Sequence, residues 1–199
     1  MKQSILAAMV APPCPKWSSK STVFGIALLT AIGFAAPVKA ENPEHVRQLL
    51  ETKRCPGCDL TGANLANIDL SEADLTDADL SGANLSGAVL TSAKLGDANL
   101  RNANLQGSKL NRADLVGADL SGANLSGTDL RETYLGGADM RRAKISKADL
   151  SNARLKGANM LGVDLSAANL NKTDLRQTNL DGVTGLSNQQ PASVPVDLD

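Results

Sequence analysis

Aromatic residues are almost absent from this chain of 199 residues: they make up 2% of it, as one tryptophan, one tyrosine and two phenylalanines. Trp17, Phe24 and Phe34 lie in the first 40 residues, so Tyr134 is the one aromatic residue in the rest of the sequence. Proteins that bind single-stranded nucleic acid stack bases on aromatic side chains. The sequence offers almost no such platform, and its basic residues are mixed with acids, so we expect no direct binding of nucleic acid.

Histidine and cysteine are nearly as scarce, with one histidine, His45, and three cysteines. A lone histidine leaves no Ser/His/Asp or Cys/His set elsewhere in the chain, and it cannot complete the four ligands of zinc beside one close cysteine pair. We therefore predict that the protein is not an enzyme and uses no metal or cofactor. His45 is predicted to be a solvent-facing helix residue.

The first 40 residues differ in composition from the rest. The charges of residues 1–21 are all positive, and an uncharged apolar run follows at 22–37. Small residues stand at Val38 and Ala40, just before Glu41. This pattern is typical of a secretory signal peptide, which we predict for residues 1–40. The apolar run is short for a membrane span, which needs about 20 residues; an uncleaved anchor is the alternative.

Aliphatic residues recur with a period of five after this leader. From Leu60 to Leu180 every fifth residue is aliphatic, at 25 positions without a gap, and all of these central residues are leucine except Met140, Ile145 and Met160. The residue two places before each central residue is small, usually alanine; the departures are Cys58, Ile68 and Val163. An α-helix repeats its buried face every 3.6 residues and a strand every two, so neither matches this period.

A chain that turns a corner every five residues accounts for the period. The central residue points inward from each side, the small residue points inward near the corner, and the residue between them, usually Asp or Asn, points out. Four sides make a coil, and stacked coils form a β-helix, a solenoid in which each coil contacts its neighbours. Glycine stands two places after the central residue in 11 of the 25 units, where it supplies the positive φ of a type II turn.

The charges support a stacking offset of 20 residues. Four outward positions are basic, and each has an aspartate 20 residues later. We predict ion pairs between adjacent coils at Lys94–Asp114, Lys109–Asp129, Lys144–Asp164 and Arg154–Asp174. Exposed pairs of this kind stabilise a protein by about 0–1 kcal/mol each.

The repeat over residues 58–182 resembles the pentapeptide repeat family. That resemblance implies an all-β solenoid, a right-handed quadrilateral β-helix, here of about six coils within residues 55–187. A short helix and a Cys-x-x-Cys pair directly before the first repeat, after an export signal, resemble the lumenal pentapeptide repeat proteins of cyanobacteria. On that resemblance the compartment is the thylakoid lumen or the periplasm.

Residues 41–54 are predicted to form a helix that caps the front of the solenoid. Asn42 is suited to the N-cap, Pro43 to the first helical position and Glu44 to the first turn. One face is apolar and can lie on the first coil; it consists of Val46, Leu49 and Leu50.

Cys55 and Cys58 connect this helix to the first coil. In an exported protein a close pair favours a structural disulfide. Buried reduced thiols and a redox-active pair are the alternatives. Cys58 occupies a small inward position, which favours burial over the exposed thiolate of redox motifs.

The five-residue period ends after Leu180. Residues 181–187 are predicted to close the last coil with Val183 and Leu186. Residues 188–199 have two prolines and no apolar period, so they are predicted to be disordered. A closed end favours a monomer over an end-to-end homodimer.

Charge divides the repeat into two halves, because residues 59–99 carry a net −6 and residues 100–182 a net +3. We predict an exported structural or interaction protein, a rigid rod without a membrane span that presents flat faces to a protein partner. The alternative is a DNA mimic that inhibits an enzyme such as gyrase, as some members of the family are, but mimicry needs a cytoplasmic location and a sustained acidic face. The candidate partner-binding patch is basic and consists of Arg131, Arg141, Arg142, Lys144, Lys147, Arg154 and Lys156.

Overall fold

The computed structural model describes residues 42–186, as one helix followed by a solenoid. The predicted signal peptide at 1–40 and the predicted disordered tail at 188–199 lie outside the described residues. Helix α1 spans Pro43–Thr52, two residues inside the predicted bounds at each end. Asn42 caps it by accepting a hydrogen bond from the amide of His45 at 3.3 Å, and Lys53 ends it in the left-handed conformation. Among the described residues, no helix has the length and apolar character to cross a membrane.

Each coil of the solenoid takes 20 residues, as the period of five predicts. Parallel bridges join residues 20 apart, from Arg54 and Asp74 at the front to Asp164 and Thr184 at the back. Within residues 42–186 these are isolated bridges rather than strands. A side is too short for a strand because two of its five residues form the corner, and the outward residue alone exchanges two bonds with one neighbouring coil.

We number the four sides by their central residues. Side 1 contains Leu60 and every twentieth residue after it; sides 2, 3 and 4 start in the same way at Leu65, Leu70 and Leu75. A corner is named by the two sides that it joins. Every central residue from Leu60 to Leu175 is at most 4% exposed, and nearly all the small inward residues are buried with them, which confirms the predicted core.

The ladder between coils opens at one place on side 2. No bridge joins Lys144 to Asp164, and among residues 42–186 the amides of Ile145, Lys147 and Asp164 have no hydrogen-bond partner. Val163, buried to 1% exposure, stands here at an inward position that is usually alanine. We attribute the separation to its branched side chain, since extra volume in a packed core forces the backbone to shift.

The corners are β-turns whose second residue has a positive φ. The amide of the small residue closes each turn onto the preceding central carbonyl, as from Ala63 to Leu60 at 3.0 Å. Glycine is one of several residues that adopt this conformation: 13 corners between residues 57 and 182 have a non-glycine residue there, with φ of 55–62°. A left-handed conformation costs such a residue about 1–2 kcal/mol, so packing between coils must hold these turns in place.

Two substitutions one coil apart at corner 2–3 should isolate this cost. Lys147 and Gly127 have φ of 60° and 67°, and a Cβ on Gly127 would meet nothing within 4 Å. We expect Lys147→Gly to stabilise the protein and Gly127→Ala to destabilise it, each by about 1 kcal/mol. Thermal unfolding followed by circular dichroism measures both; melting temperatures that shift in the same direction would contradict the assignment.

Helix α1 covers the front coil with one of its two adjacent leucines. Leu49 is fully buried, whereas Leu50 is 49% exposed. The prediction that Leu50 shares the buried face is therefore wrong, because successive helix residues are about 100° apart around the axis and Leu50 faces away. Val46, one turn before Leu49, packs against the core as predicted.

His45 also belongs to this cap, and its predicted exposure to solvent is wrong. Its ring is half-buried, and Nδ1 accepts a hydrogen bond from the amide of Asp59 at 3.0 Å. That amide lies on the outer edge of the first coil, where no earlier coil can accept it. His45 thus satisfies an edge donor that would otherwise be unpaired.

The last described residues lie against the back coil. Val183 and Leu186 are half-buried and pack against the core, in the place predicted for them. Thr184 forms the final bridge, to Asp164.

Candidate interaction surfaces

Outward asparagines and aspartates form rows along the sides. On side 2 the Nδ2 atoms of Asn84, Asn104 and Asn124 each donate to the Oδ1 atom of the asparagine one coil earlier, at 3.2–3.3 Å. The same Oδ1 atoms accept from the amide two residues later in their own corner, as from Ser86 to Asn84 at 3.2 Å. The outward residue therefore orients the turn as well as the coil above it. The sequence shows this only as a preference for Asp and Asn, the residues that favour such turns.

The predicted ion pairs between coils do not form among the described residues. Three of the four pairs occupy bridged positions, so the register is right, but their charged groups are not within 4.0 Å of each other. Aspartates instead pair inside their own corner: Arg131 binds Asp129, Arg141 binds Asp139 and Arg176 binds Asp174. The two-residue spacing wins because the arginine at the corner reaches back to a carboxylate that the turn already orients.

These corner pairs hold the carboxylates ionised. Arg176 donates two hydrogen bonds to Asp174, at 2.8 and 2.7 Å, and lowers the pKa of that carboxyl to about 2. Hydrogen bonds from Arg131 and Arg141 lower the pKa of Asp129 and Asp139 in the same way. All three carboxylates therefore keep their charge in neutral and mildly acidic solution.

The basic residues of the candidate patch lie on all four sides of the rod. By the 20-residue register, Arg131 is at corner 3–4, Lys147 at corner 2–3, Arg154 on side 4 and Lys156 at corner 4–1. The structure brings together three members of the group, Arg141, Arg142 and Lys144, around corner 1–2 and the adjoining side 2. The seven residues form a belt around the coils rather than one patch, because a segment of 26 residues wraps more than once around the rod.

A recess at corner 1–2, which we call the corner notch, has a volume of about 270 Å³. Ser121 and Gly122 form its floor, and the larger residues at the same corner of the coils on either side form its walls. Its lining consists of Arg101, Asn102, Ser121, Gly122, Arg141, Arg142 and Leu161. Arg101, which the sequence did not indicate, joins the group because its position lies two coils from Arg141.

Two further recesses flank this corner and the opposite one. Arg142 also lines an opening of about 390 Å³ on side 2, where the ladder between Lys144 and Asp164 is interrupted. A recess of about 470 Å³ reaches from corner 3–4 to side 4. There the guanidinium of Arg154 lies 4.8 Å from the centre of the Tyr134 ring, and Arg112 pairs with Glu132 at 2.9 Å.

The front of the rod places Cys55 and Cys58 in the core, with their sulfurs at the bonding distance of 1.97 Å. Within residues 42–186 no three histidine, cysteine or acidic side chains converge in a way that could hold a metal ion. The acids of the rod stand singly along its sides and corners, where they orient turns and pair with arginines.

Comparison with known proteins agrees with this architecture. The family model described as pentapeptide repeats matches residues 55–91, 83–122, 123–160 and 158–184. No curated protein is similar enough to be matched to the chain.

Solved structures of similar proteins come from cyanobacteria and a plant. The pentapeptide repeat protein Rfr23 of Cyanothece is 27% identical, with a TM-score of 0.45, over 74% of this chain and 97% of that one. A pentapeptide repeat protein of the Arabidopsis thaliana thylakoid lumen is 28% identical, with a TM-score of 0.36, over 56% and 68%. HetL of Nostoc, involved in regulating heterocyst differentiation, is 34% identical, with a TM-score of 0.33, over 66% and 74%.

Proposed function

This chain belongs to the pentapeptide repeat family, and from that premise we propose that it is a monomeric, non-catalytic protein that binds a protein partner through the sides of a rigid rod. Pentapeptide repeat proteins form right-handed quadrilateral β-helices and are generally structural or interaction proteins. We propose about six coils for this rod. The observation that carries the proposal is the outward rows, whose side chains are fixed by bonds within corners and between coils. Such a surface has little conformational entropy to lose when a partner binds.

The charge distribution disfavours the alternative, mimicry of DNA. A mimic of duplex DNA needs a row of negative charges along the rod, comparable to the phosphates of the double helix. In this chain the front half is acidic and the back half carries a net +3. The corner pairs neutralise several of the remaining acids in the back half, at Asp129, Asp139 and Asp174.

We propose that the protein is exported, to the thylakoid lumen or the periplasm. The proposal rests on the signal-peptide pattern of residues 1–40 and on the close cysteine pair that follows. In such a compartment Cys55 and Cys58 would form a structural disulfide that braces the first corner.

Free-thiol titration tests this oxidation state. Protein purified from its native compartment and denatured without reductant should contain close to no reactive thiol, because the disulfide persists in an oxidising environment. Two thiols that alkylate rapidly in the folded protein would show instead an exposed, reactive pair.

The binding proposal is tested by cross-linking the protein in its native compartment. We expect the rod to be recovered in a stoichiometric complex with one protein, and the purified pair to re-form that complex. Its charge contribution is measured with a variant neutralised at Arg141, Arg142 and Lys144. Recovery of the rod at its own mass alone, with no protein cross-linked to it, would refute the proposal.

A further inference from the structure

The corner notch combines features that a protein segment with an acidic side chain would recognise. Its floor is low because Ser121 and Gly122 are the smallest pair at this corner between Arg101 and Leu161. The conformation also requires a small floor, since Asn102 places its Oδ1 atom 2.5 Å from where a Cβ of Gly122 would lie. The recess is therefore built into the fold, with a cationic wall on each side.

One cation of the notch is uncompensated. Arg101 pairs with Asp119 at 3.0 Å and Arg141 pairs with Asp139 at 2.6 Å. Arg142 is exposed and has no ion pair among residues 42–186. A guanidinium carries five N–H donors in a planar fork that matches a carboxylate, so Arg142 has its donors available for an incoming anion.

The floor and rim add a hydroxyl and an apolar contact. Among the described residues, Ser121 Oγ is the buried side-chain polar atom without a hydrogen bond. Leu161 is 43% exposed at the rim, in a corner position that is usually polar. A ligand that uses all three groups has a carboxylate for Arg142 and Ser121 and an apolar part beside it for Leu161.

We propose that the corner notch binds an acidic side chain of the partner protein, with a neighbouring apolar residue against Leu161; this rests on the proposed function. A singly charged carboxylate fits the charge of the site better than a phosphate. Asp119 and Asp139 lie in the same corner region and repel a second negative charge, while one guanidinium alone is uncompensated. The apolar rim distinguishes a peptide from an inorganic anion, which would gain nothing from Leu161.

The left-handed corners supply matched variants that are expected to fold. Arg142 and Lys172 have φ of 59° and 57°, so glycine is favourable at both positions. Each of Arg142→Gly and Lys172→Gly removes one unpaired cation from a corner, but Lys172 is at corner 3–4, away from the notch. A third variant, Ser121→Asp, places a carboxylate in the notch itself.

The experiment titrates the exported protein, expressed with its own leader, against a fluorescent peptide of alternating leucine and aspartate at about 0.15 M salt. We expect Arg142→Gly to weaken binding at least about tenfold and Ser121→Asp to weaken it similarly, with a change below about twofold for Lys172→Gly. A peptide with asparagine in place of aspartate should not bind.

Several results would overturn the proposal. Equal losses in Arg142→Gly and Lys172→Gly would show unspecific attraction, and displacement by inorganic phosphate at the peptide's own concentration would show a simple anion site. Arg142-dependent binding to anionic lipid vesicles without peptide binding would show a membrane surface. Peptide binding only after deletion of residues 187–199 would show that the chain's own tail occupies the notch. A partner complex that forms unchanged in Arg142→Gly would refute the notch and leave the proposed function intact.

Discussion

Leu120→Asp is expected to lower the stability of the protein by several kcal/mol, because it buries an unpaired charge in the centre of the rod. Leu120 is fully buried, and its amide donates to Asp139 in the next coil at 2.7 Å. A solenoid is held together by contacts between neighbouring coils, so the disruption should spread to the coils on both sides. For a protein of this size we expect the melting temperature to fall by on the order of 10 °C, with loss of part of the β-signal in circular dichroism.

The next residue provides the control. Ser121→Asp introduces the same side chain one position later, at the floor of the corner notch between Arg101 and Arg141. We expect its effect on stability to stay within about 0.5 kcal/mol, since the carboxylate is near solvent and close to two guanidinium groups. Equal melting temperatures for Leu120→Asp and Ser121→Asp would show that the inward and corner positions of the repeat have been misassigned.

The core could be predicted because each unit of the repeat determines its own conformation. Leucine at the centre and alanine before it fit one side of a coil, and 25 repetitions leave one register that buries them all. The same reasoning fails where a residue is held by its neighbours rather than by its own preference. Arg142 and Lys147 adopt a positive φ that their side chains disfavour, since the coils above and below fix the turn.

The candidate surface could be predicted only in part, because distance along the sequence does not give distance on a coil. Arg141 and Arg154 are 13 residues apart but lie at different parts of the perimeter, whereas Arg101 and Arg141 are two coils apart at one corner. A count of basic residues in one segment therefore predicted a patch where the structure has a belt. The residues that share a surface are found at multiples of 20, which brings Arg101, Ser121 and Leu161 into the notch.

The ends of the rod depend on single contacts for which the repeat gives no rule. His45 accepts the edge amide of Asp59, and Val163 separates two coils at the interruption on side 2. Neither residue belongs to the repeating pattern, and each has a role that depends on the exact position of the adjoining coil. Residues that depart from the period therefore mark the places where the structure must be inspected.

Leu49→Asp should remove the front cap. Leu49 is the fully buried residue of α1 and packs on the first coil, so a carboxylate there would detach the helix at a cost of several kcal/mol. Detachment would also release the amide of Asp59 from His45 and expose the outer edge of the first coil. Because an open edge pairs with other chains, we expect a lower melting temperature together with association of the protein in light scattering.

Leu50→Asp is the matched control for this prediction, since the same substitution falls on the adjacent residue of the same helix. Leu50 is 49% exposed, so its replacement should leave both the melting temperature and the scattering mass close to those of the unaltered protein. Association in Leu49→Asp but not in Leu50→Asp would show that α1 protects an edge. A monomeric Leu49→Asp protein with an unchanged melting temperature would instead show that the first coil is stable without its helix, and that the bridge between Arg54 and Asp74 begins the stable part of the rod.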